Sequence, residues 1–233
     1  MRGNPIAYTE KKKAFLGVDF FVDERVYVPN DETEKLVEYA VSHCLEDNCS
    51  GRRVVVDVGT GCGCLAISAA RMLPEFDVIA TDISEEALEV ARINVNRSGI
   101  SRVQLVKTDL IEAVVEEPAA VMANLPWGSE AYLLKGNKLE ELQCMPRIAT
   151  FPEDGVLGAY IRLIEMIKRK CWSTILFAEV GCVPEEVVFE ELAKAGLGSA
   201  EDSDASYERI GCDDYGLLKV CFRDAMGNVL SAG

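Results

Sequence analysis

Histidine is almost absent from this chain: among 233 residues there is one, His43. An isolated imidazole excludes most histidine-based mechanisms, and we expect a solvated or structural role for it. The nine cysteines contain no Cys-x-x-Cys pair, and the two that lie closest together, Cys62 and Cys64, sit inside a glycine-rich stretch. That pattern predicts buried, reduced thiols rather than a zinc site, so no metal ligands are expected. No run of about 18 apolar residues occurs, and the N-terminal MRGNPIAYTEKKK is basic without the apolar stretch of a signal peptide. The expectation is a cytosolic protein with no membrane partner. Positive charge is scarce as well: 24 Lys and Arg face 39 Asp and Glu, for a net charge of −15. Such a field repels naked nucleic acid unless a local basic patch outweighs it, and favours a protein or small-molecule substrate, or a basic partner chain.

What the chain has instead is one glycine-dense segment around which the rest is ordered. Residues 54–63, VVVDVGTGCG, read as an apolar strand ending in an aspartate and running into a loop with Gly59, Gly61 and Gly63 at alternate positions. Glycines there let the backbone turn sharply and approach a ligand closely. CLAISAARML, residues 64–73, then reads as a helix whose first N–H groups face the loop. A dinucleotide fingerprint wants G-x-G-x-x-G, and here Cys64 stands where the third glycine belongs. Acidic residues before the loop (Asp57) and at the end of the next strand (Asp82) suit a ligand with ribose hydroxyls and an amino group but no pyrophosphate. S-adenosylmethionine has those groups.

The remaining pattern is strands alternating with helices. Residues 14–29 alternate as a short hairpin, and Asn30 or Asp31 caps a helix burying Val37, Ala40, Val41, Cys44 and Leu45. Strands follow at 54–57, 77–83, 103–109, 119–125 and 174–180, with helices between them, one capped by Ser84 and ended by Gly99, another opened by Pro184 and ended by Gly196. SYERIG and LLKVCFRD close the chain as a hairpin, while 128–152 read as an irregular insertion and EDSD, 201–204, as a solvated loop. We expect an α/β, Rossmann-like fold: a mostly parallel seven-stranded sheet with a C-terminal antiparallel hairpin and helices on both faces. The whole of 1–233 reads as one domain, with 1–30 an N-terminal extension and hairpin and 31–233 the core. Asp57, Asp82, Asp109 and Asn124 stand at successive strand ends, where open α/β sheets bind ligands.

Asn124-Leu125-Pro126-Trp127 follows the fourth core strand. An amide or aromatic-amine nitrogen is a poor nucleophile because its lone pair is delocalised, and it has to be oriented. The Asn124 side-chain oxygen and the Leu125 carbonyl can each accept one N–H of an NH₂ group and draw its lone pair toward an electrophilic methyl. Pro126 stiffens the backbone, and Trp127 offers a flat face.

These segments resemble the class I S-adenosylmethionine-dependent methyltransferases, and within them the HemK/PrmC-type glutamine N5-methyltransferases of release factors. VVVDVGTGCGCLAIS is similar to the family's motif I, ATDIS to its ribose-binding acid segment and KTDL to its adenine-contacting pair. VPNDETEKLVE is similar to the upstream IPRPETE-L-VE segment, with Asn30 in place of the arginine, and DGVLGAYIRLIE to the segment ahead of the fifth strand. NLPW departs from N-P-P-Y and also resembles the N-[LI]-P-[YF] motif of rRNA adenine dimethyltransferases.

The resemblance implies S-adenosylmethionine as cofactor. Asp82 with Ile83 would hold the ribose, Asp109 and Leu110 the adenine, and Asp57, Gly59, Thr60, Gly61 and Gly63 the methionine portion. Thr33 and Asn124 would reach the cofactor, and Asn124, Leu125, Pro126 and Trp127 the acceptor. Too little sequence precedes the core for the N-terminal helical domain of bacterial members, so the chain is similar to the shorter forms, some of which work with a small zinc-binding partner. The function expected is N-methylation of a glutamine side-chain amide in a protein such as a release factor. A nucleobase amine, adenine N6 or guanine N2 in RNA or DNA, is the alternative, and a catalytically silent methyltransferase-like subunit a third.

Overall fold

The structure, a computed structural model, describes residues 5–46, 51–127, 142–194, 196, 205–210 and 216–222. A short helix α1 (Ile6–Glu10) and a hairpin, β1 (Lys13–Phe15) and β2 (Val18–Phe20), precede the core. A 3₁₀ turn at Asp31–Thr33 leads into α2 (Glu34–Glu46). The core then alternates β3 (Val54–Val58), α3 (Cys64–Met72), β4 (Asp77–Asp82), α4 (Glu85–Ser98), β5 (Val103–Lys107) and β6 (Ala120–Ala123). It continues with α5 (Arg147–Thr150), α6 (Gly158–Arg169), β7 (Ile175–Gly181), α7 (Glu185–Lys194), β8 (Ala205–Ile210) and β9 (Gly216–Phe222).

The seven core strands lie in the order β5-β4-β3-β6-β7-β9-β8, parallel except where β9 pairs antiparallel with β7 and β8. The mixed sheet is as expected. Strand residues alternate between two cores. Val55, Val78, Ala80, Ala120, Met122 and Phe177 face α2, α3, α4 and the N-terminal hairpin. Val56, Val58, Val121, Ala123, Leu176 and Ala178 face α6 and α7. Because the chain winds to one side from β3 and to the other from β6, the crevice opens beyond the carboxyl ends of these two neighbours. Register brings the ends level, Val58 standing opposite Thr81 on one side and Ala123 on the other.

Local chemistry accounts for the element ends. Ser84 accepts the Ala87 N–H at 3.2 Å, and Gly99, at φ 69°, ends α4. Glu185 and Glu186 sit in the first turn of α7, where negative charge suits the helix dipole.

Several expectations need correction. The hairpin is only three residues per strand, and 21–30 continue as an irregular strap. Asn30 makes no side-chain cap to the turn that follows it. On α2, Leu45 is 65% exposed and Leu36 is buried in its place, since Leu45 falls off the far side of the stripe centred on Ala40 and Cys44. Cys44, Cys62 and Cys64 are buried thiols, but Cys144, Cys182 and Cys221 are half-buried and Cys171 is exposed. His43 is half-buried, its ring 6.0 Å from that of Phe177, in keeping with a structural role. Residues 128–141 of the expected insertion, the EDSD loop and the turn between β8 and β9 lie outside the described residues; 142–152 contain the short helix α5. Among the described residues no helix is long and apolar enough to cross a membrane.

Candidate active site

A cavity of about 220 Å³ opens at the crevice. Gly59, Gly61, Asp82, Ile83, Asp109, Leu110, Asn124, Leu125 and Pro126, all expected site residues, line it. The loop is built as its glycines require, with φ of 72°, 55° and 84° at Gly59, Gly61 and Gly63. The N–H groups of Gly59 and Thr60 both donate to the Thr81 carbonyl, at 2.9 and 2.8 Å, so the loop is stitched to the end of β4. Gly59 has a second duty: a Cβ there would meet Leu125 Cδ2 at 2.7 Å, so its bareness lets the leucine side chain close over the loop.

Asp82 accepts N–H groups from Gly61 and Ser84, each at 2.9 Å. Burial pushes its carboxyl up, against the pull of these bonds. Ile83 follows it, 52% exposed although apolar, with its side chain along the cavity. Leu110, at φ 48°, and Asp109 form the opposite part of that wall.

Thr33, Asp57, Thr60 and Gly63 are not on the cavity wall. Asp57 is 1% exposed, and its Oδ2 accepts the Thr60 hydroxyl at 2.6 Å and the Ala66 N–H at 3.1 Å, tying the loop to the first turn of α3. Burial pushes its carboxyl up to about 7, with Asp82 adding repulsion and the two hydrogen bonds opposing. Its hydrogen bonds hold the loop in place. Thr33 is fully buried and its hydroxyl accepts from Asn124 Nδ2 at 3.2 Å, a bond that does not use Asn124 Oδ1.

The Asn124–Trp127 stretch also borders a narrower chamber of about 30 Å³, shared with Tyr27, Leu142, Ala149 and Thr150. Trp127 seats its ring against Gly181 at the end of β7, where a Cβ would stand 2.2 Å from Trp127 Cζ2. One side of the ring is thus spent on the sheet, and the residue borders the small chamber and not the large cavity.

Three residues around the site were not singled out from the sequence. Arg162 on α6 donates to Asp109 at 2.8 Å and reaches Asp154 at 2.9 Å. Arg25 on the strap is held by Asp23 and by Glu89 of α4. Tyr160, also on α6, bonds the backbone of Leu125. Arg162 and Tyr160 stand 53 and 35 residues from Asp109 and Leu125, and Arg25 stands 64 from Glu89, so the chain around them does not announce these partners.

The lining suits a nucleoside carrying a cationic tail: carboxyl groups of Asp82 and Asp109 beyond the strand ends and apolar walls at Ile83 and Leu110. Among the described residues no cluster of three or more His, Cys, Asp or Glu could hold a metal.

Known proteins share the sequence pattern and the fold. Residues 38–133 match the family model of the methyltransferase small domain. A release factor glutamine methyltransferase of Streptococcus pneumoniae is 33% identical over 187 residues, 78% of this chain and 65% of that protein. The first three such relatives are matched over 40% to 65% of their own length, so the chain spans less than two thirds of them. The human Mettl16 catalytic domain in complex with an RNA hairpin superposes with a TM-score of 0.64 at 16% identity, over 90% of this chain and 77% of that one. The N-terminal domain of the same human protein in complex with S-adenosylhomocysteine gives 0.58 at 18%, over 88% and 76%. With the glycine loop, the strand-end acids and Asn124–Trp127 on one crevice of a Rossmann-like sheet, the chain is similar to the methyltransferase small domain and to release factor glutamine methyltransferases.

Proposed function

We propose that the protein is an S-adenosylmethionine-dependent N-methyltransferase acting on the side-chain amide of a glutamine presented by a protein such as a release factor. The observation that carries this is the pair of acceptors at Asn124 and Leu125, beside a narrow chamber that adjoins the large cavity. When bound, S-adenosylmethionine supplies a methyl electrophile on sulfur and a neutral thioether as leaving group. Asp82 and Ile83 would hold its ribose side, Asp109 and Leu110 its adenine, and Gly59 and Gly61 the methionine portion. Asp57 and Thr60 would act behind them by fixing the loop. Asn124 Oδ1 and the Leu125 carbonyl would each take one N–H of the acceptor, turning its lone pair toward the large cavity, and the nitrogen loses one of its protons as the new N–C bond forms. Residues 1–233 would form one domain, the extension sharing a core with α2 through Tyr8, Phe15, Phe20 and Val22. A cytosolic location belongs to the same reading. A small second chain that co-purifies with activity would add a partner to it.

The NLPW spelling favours a second reading, a nucleobase amine. A side-chain amide is a slender, acyclic group, and a protein acceptor agrees with the release factor glutamine methyltransferases to which the chain is similar. The test is transfer of labelled methyl from S-adenosylmethionine into an extract of undermethylated cells, split into protease-sensitive and nuclease-sensitive counts. Label in a protein band of release-factor size supports the amide. Label lost only to nuclease sinks it.

A further inference from the structure

Tyr160 has no role in the reading so far, yet its hydroxyl touches the backbone on which that reading depends. The residue is 1% exposed on the first turn of α6, and its oxygen accepts the Leu125 N–H at 2.7 Å while standing 3.1 Å from the Leu125 carbonyl. It also donates to the carbonyl of Glu179 on β7, the closer of its two acceptors. One phenol proton cannot serve both carbonyls fully. Given to Glu179, it leaves the Leu125 oxygen with lone-pair capacity for a ligand, while the Leu125 N–H bond keeps the residue anchored.

The two contacts straddle Leu125: its N–H belongs to the peptide before it and its carbonyl to the peptide after it. A single hydroxyl within reach of both restrains φ and ψ of that residue together. Pro126 adds its own restriction from the other side, pushing Leu125 toward extended conformations. A third tie comes from the same helix start, where the Leu157 N–H reaches the Trp127 carbonyl at 3.4 Å. The start of α6 therefore grips the acceptor motif on either side of the proline. Buried phenols usually find a hydrogen-bond partner somewhere; this one meets three backbone atoms, two of them on the residue whose carbonyl must aim at the substrate nitrogen.

We propose that Tyr160 is a positioning residue, whose hydroxyl sets the direction of the Leu125 carbonyl and so the orientation of the acceptor NH₂ group. The proposal rests on the methyl-transfer reading above, but not on glutamine being the acceptor. Any exocyclic amine held by Asn124 and Leu125 would need the same aim.

The variant that tests it is Tyr160→Phe, which keeps the ring and removes the hydroxyl. S-adenosylhomocysteine binding gives the competent fraction of each preparation, and rates are expressed per competent molecule. The expected result is a fall in kcat of tenfold or more, KM for the acceptor changing less than threefold, and S-adenosylhomocysteine affinity within threefold of wild type. A kcat within twofold of wild type overturns the proposal. So does a parallel loss of kcat and S-adenosylhomocysteine affinity, or the absence of any competent fraction, since the hydroxyl would then be serving the fold and not the acceptor. Running both a glutamine peptide and an RNA acceptor on the wild type separates the two readings: activity on RNA alone defeats the glutamine assignment and leaves the Tyr160 comparison to be made on that acceptor.

Discussion

Asn124 does two things with one side chain. Its Nδ2 donates to Thr33, and in the proposed reading its Oδ1 receives the acceptor group. Asn124→Ala should abolish methyl transfer while leaving S-adenosylhomocysteine affinity within a few-fold, measured by calorimetry; a large loss of cofactor affinity would show that the residue belongs to the cofactor wall. Asp57 makes a prediction of a different kind. Its folded pKa, about 7, lies above the ordinary aspartate value because the carboxylate is buried. The folded protein therefore keeps a proton that the unfolded chain releases, and this contribution to stability is full below about pH 4 and is lost as pH rises through about 7. The difference in unfolding free energy between wild type and Asp57→Asn should thus slope with pH across that interval, with wild type losing ground by at most about 1.4 kcal/mol per unit. A flat difference by denaturant titration at several pH values would mean that Asp57 is ionised throughout.

At the scale of elements, the loop and the acceptor motif are one mechanical unit. Gly59 holds φ 72° and leaves room for Leu125, so Gly59→Ala would strain the backbone and push on the leucine at once. The expected outcome is reduced kcat together with weaker S-adenosylhomocysteine binding, unlike the kcat-only effect at Tyr160. Gly181→Ala would unseat Trp127 instead and should raise KM for the acceptor before it alters cofactor affinity. An ordinary structural substitution sets the scale: Ser84→Ala removes one helix cap and should cost about 1 kcal/mol in unfolding free energy, with little change in rate. These elements differ in how well the sequence announces them. Ser84, Gly99 and Pro184 are local signals, and the helices they bound form where expected. The 3₁₀ turn at Asp31–Thr33 was hidden, because the capping pattern of Asn30 and Asp31 is the same for a turn as for a helix.

For the whole molecule the relevant quantity is the net charge of −15. An acceptor presented by a basic protein would be drawn in by that field, and its KM should rise severalfold between about 0.05 and 0.2 M salt while kcat holds, since screening acts on encounter rather than on the buried acceptor pair. A KM indifferent to salt would place recognition in short-range contacts alone. The cores on the two faces of the sheet are of similar standing, and each borrows from a distant part of the chain: the N-terminal hairpin covers one, α6 and α7 the other.

The sequence by itself determined the fold class, with its mostly parallel sheet and C-terminal hairpin, and marked the glycine loop and Asn124–Trp127, because each is written in contiguous residues: period-two apolar runs, alternate glycines, an acid at a strand end, a proline after a leucine. Only the tertiary structure decided which of those residues line the cavity. Asp57, Thr60 and Thr33 carry the right chemistry in the right segments, yet they turn behind the wall and hold other groups in place, since which face a side chain takes at the end of a strand depends on what packs beneath it. Arg162, Arg25 and Tyr160 reach the site from 53, 64 and 35 residues away from the groups they hold, Asp109, Glu89 and Leu125. Separations of that size are closed by the winding of the sheet, and no local pattern in the chain records them.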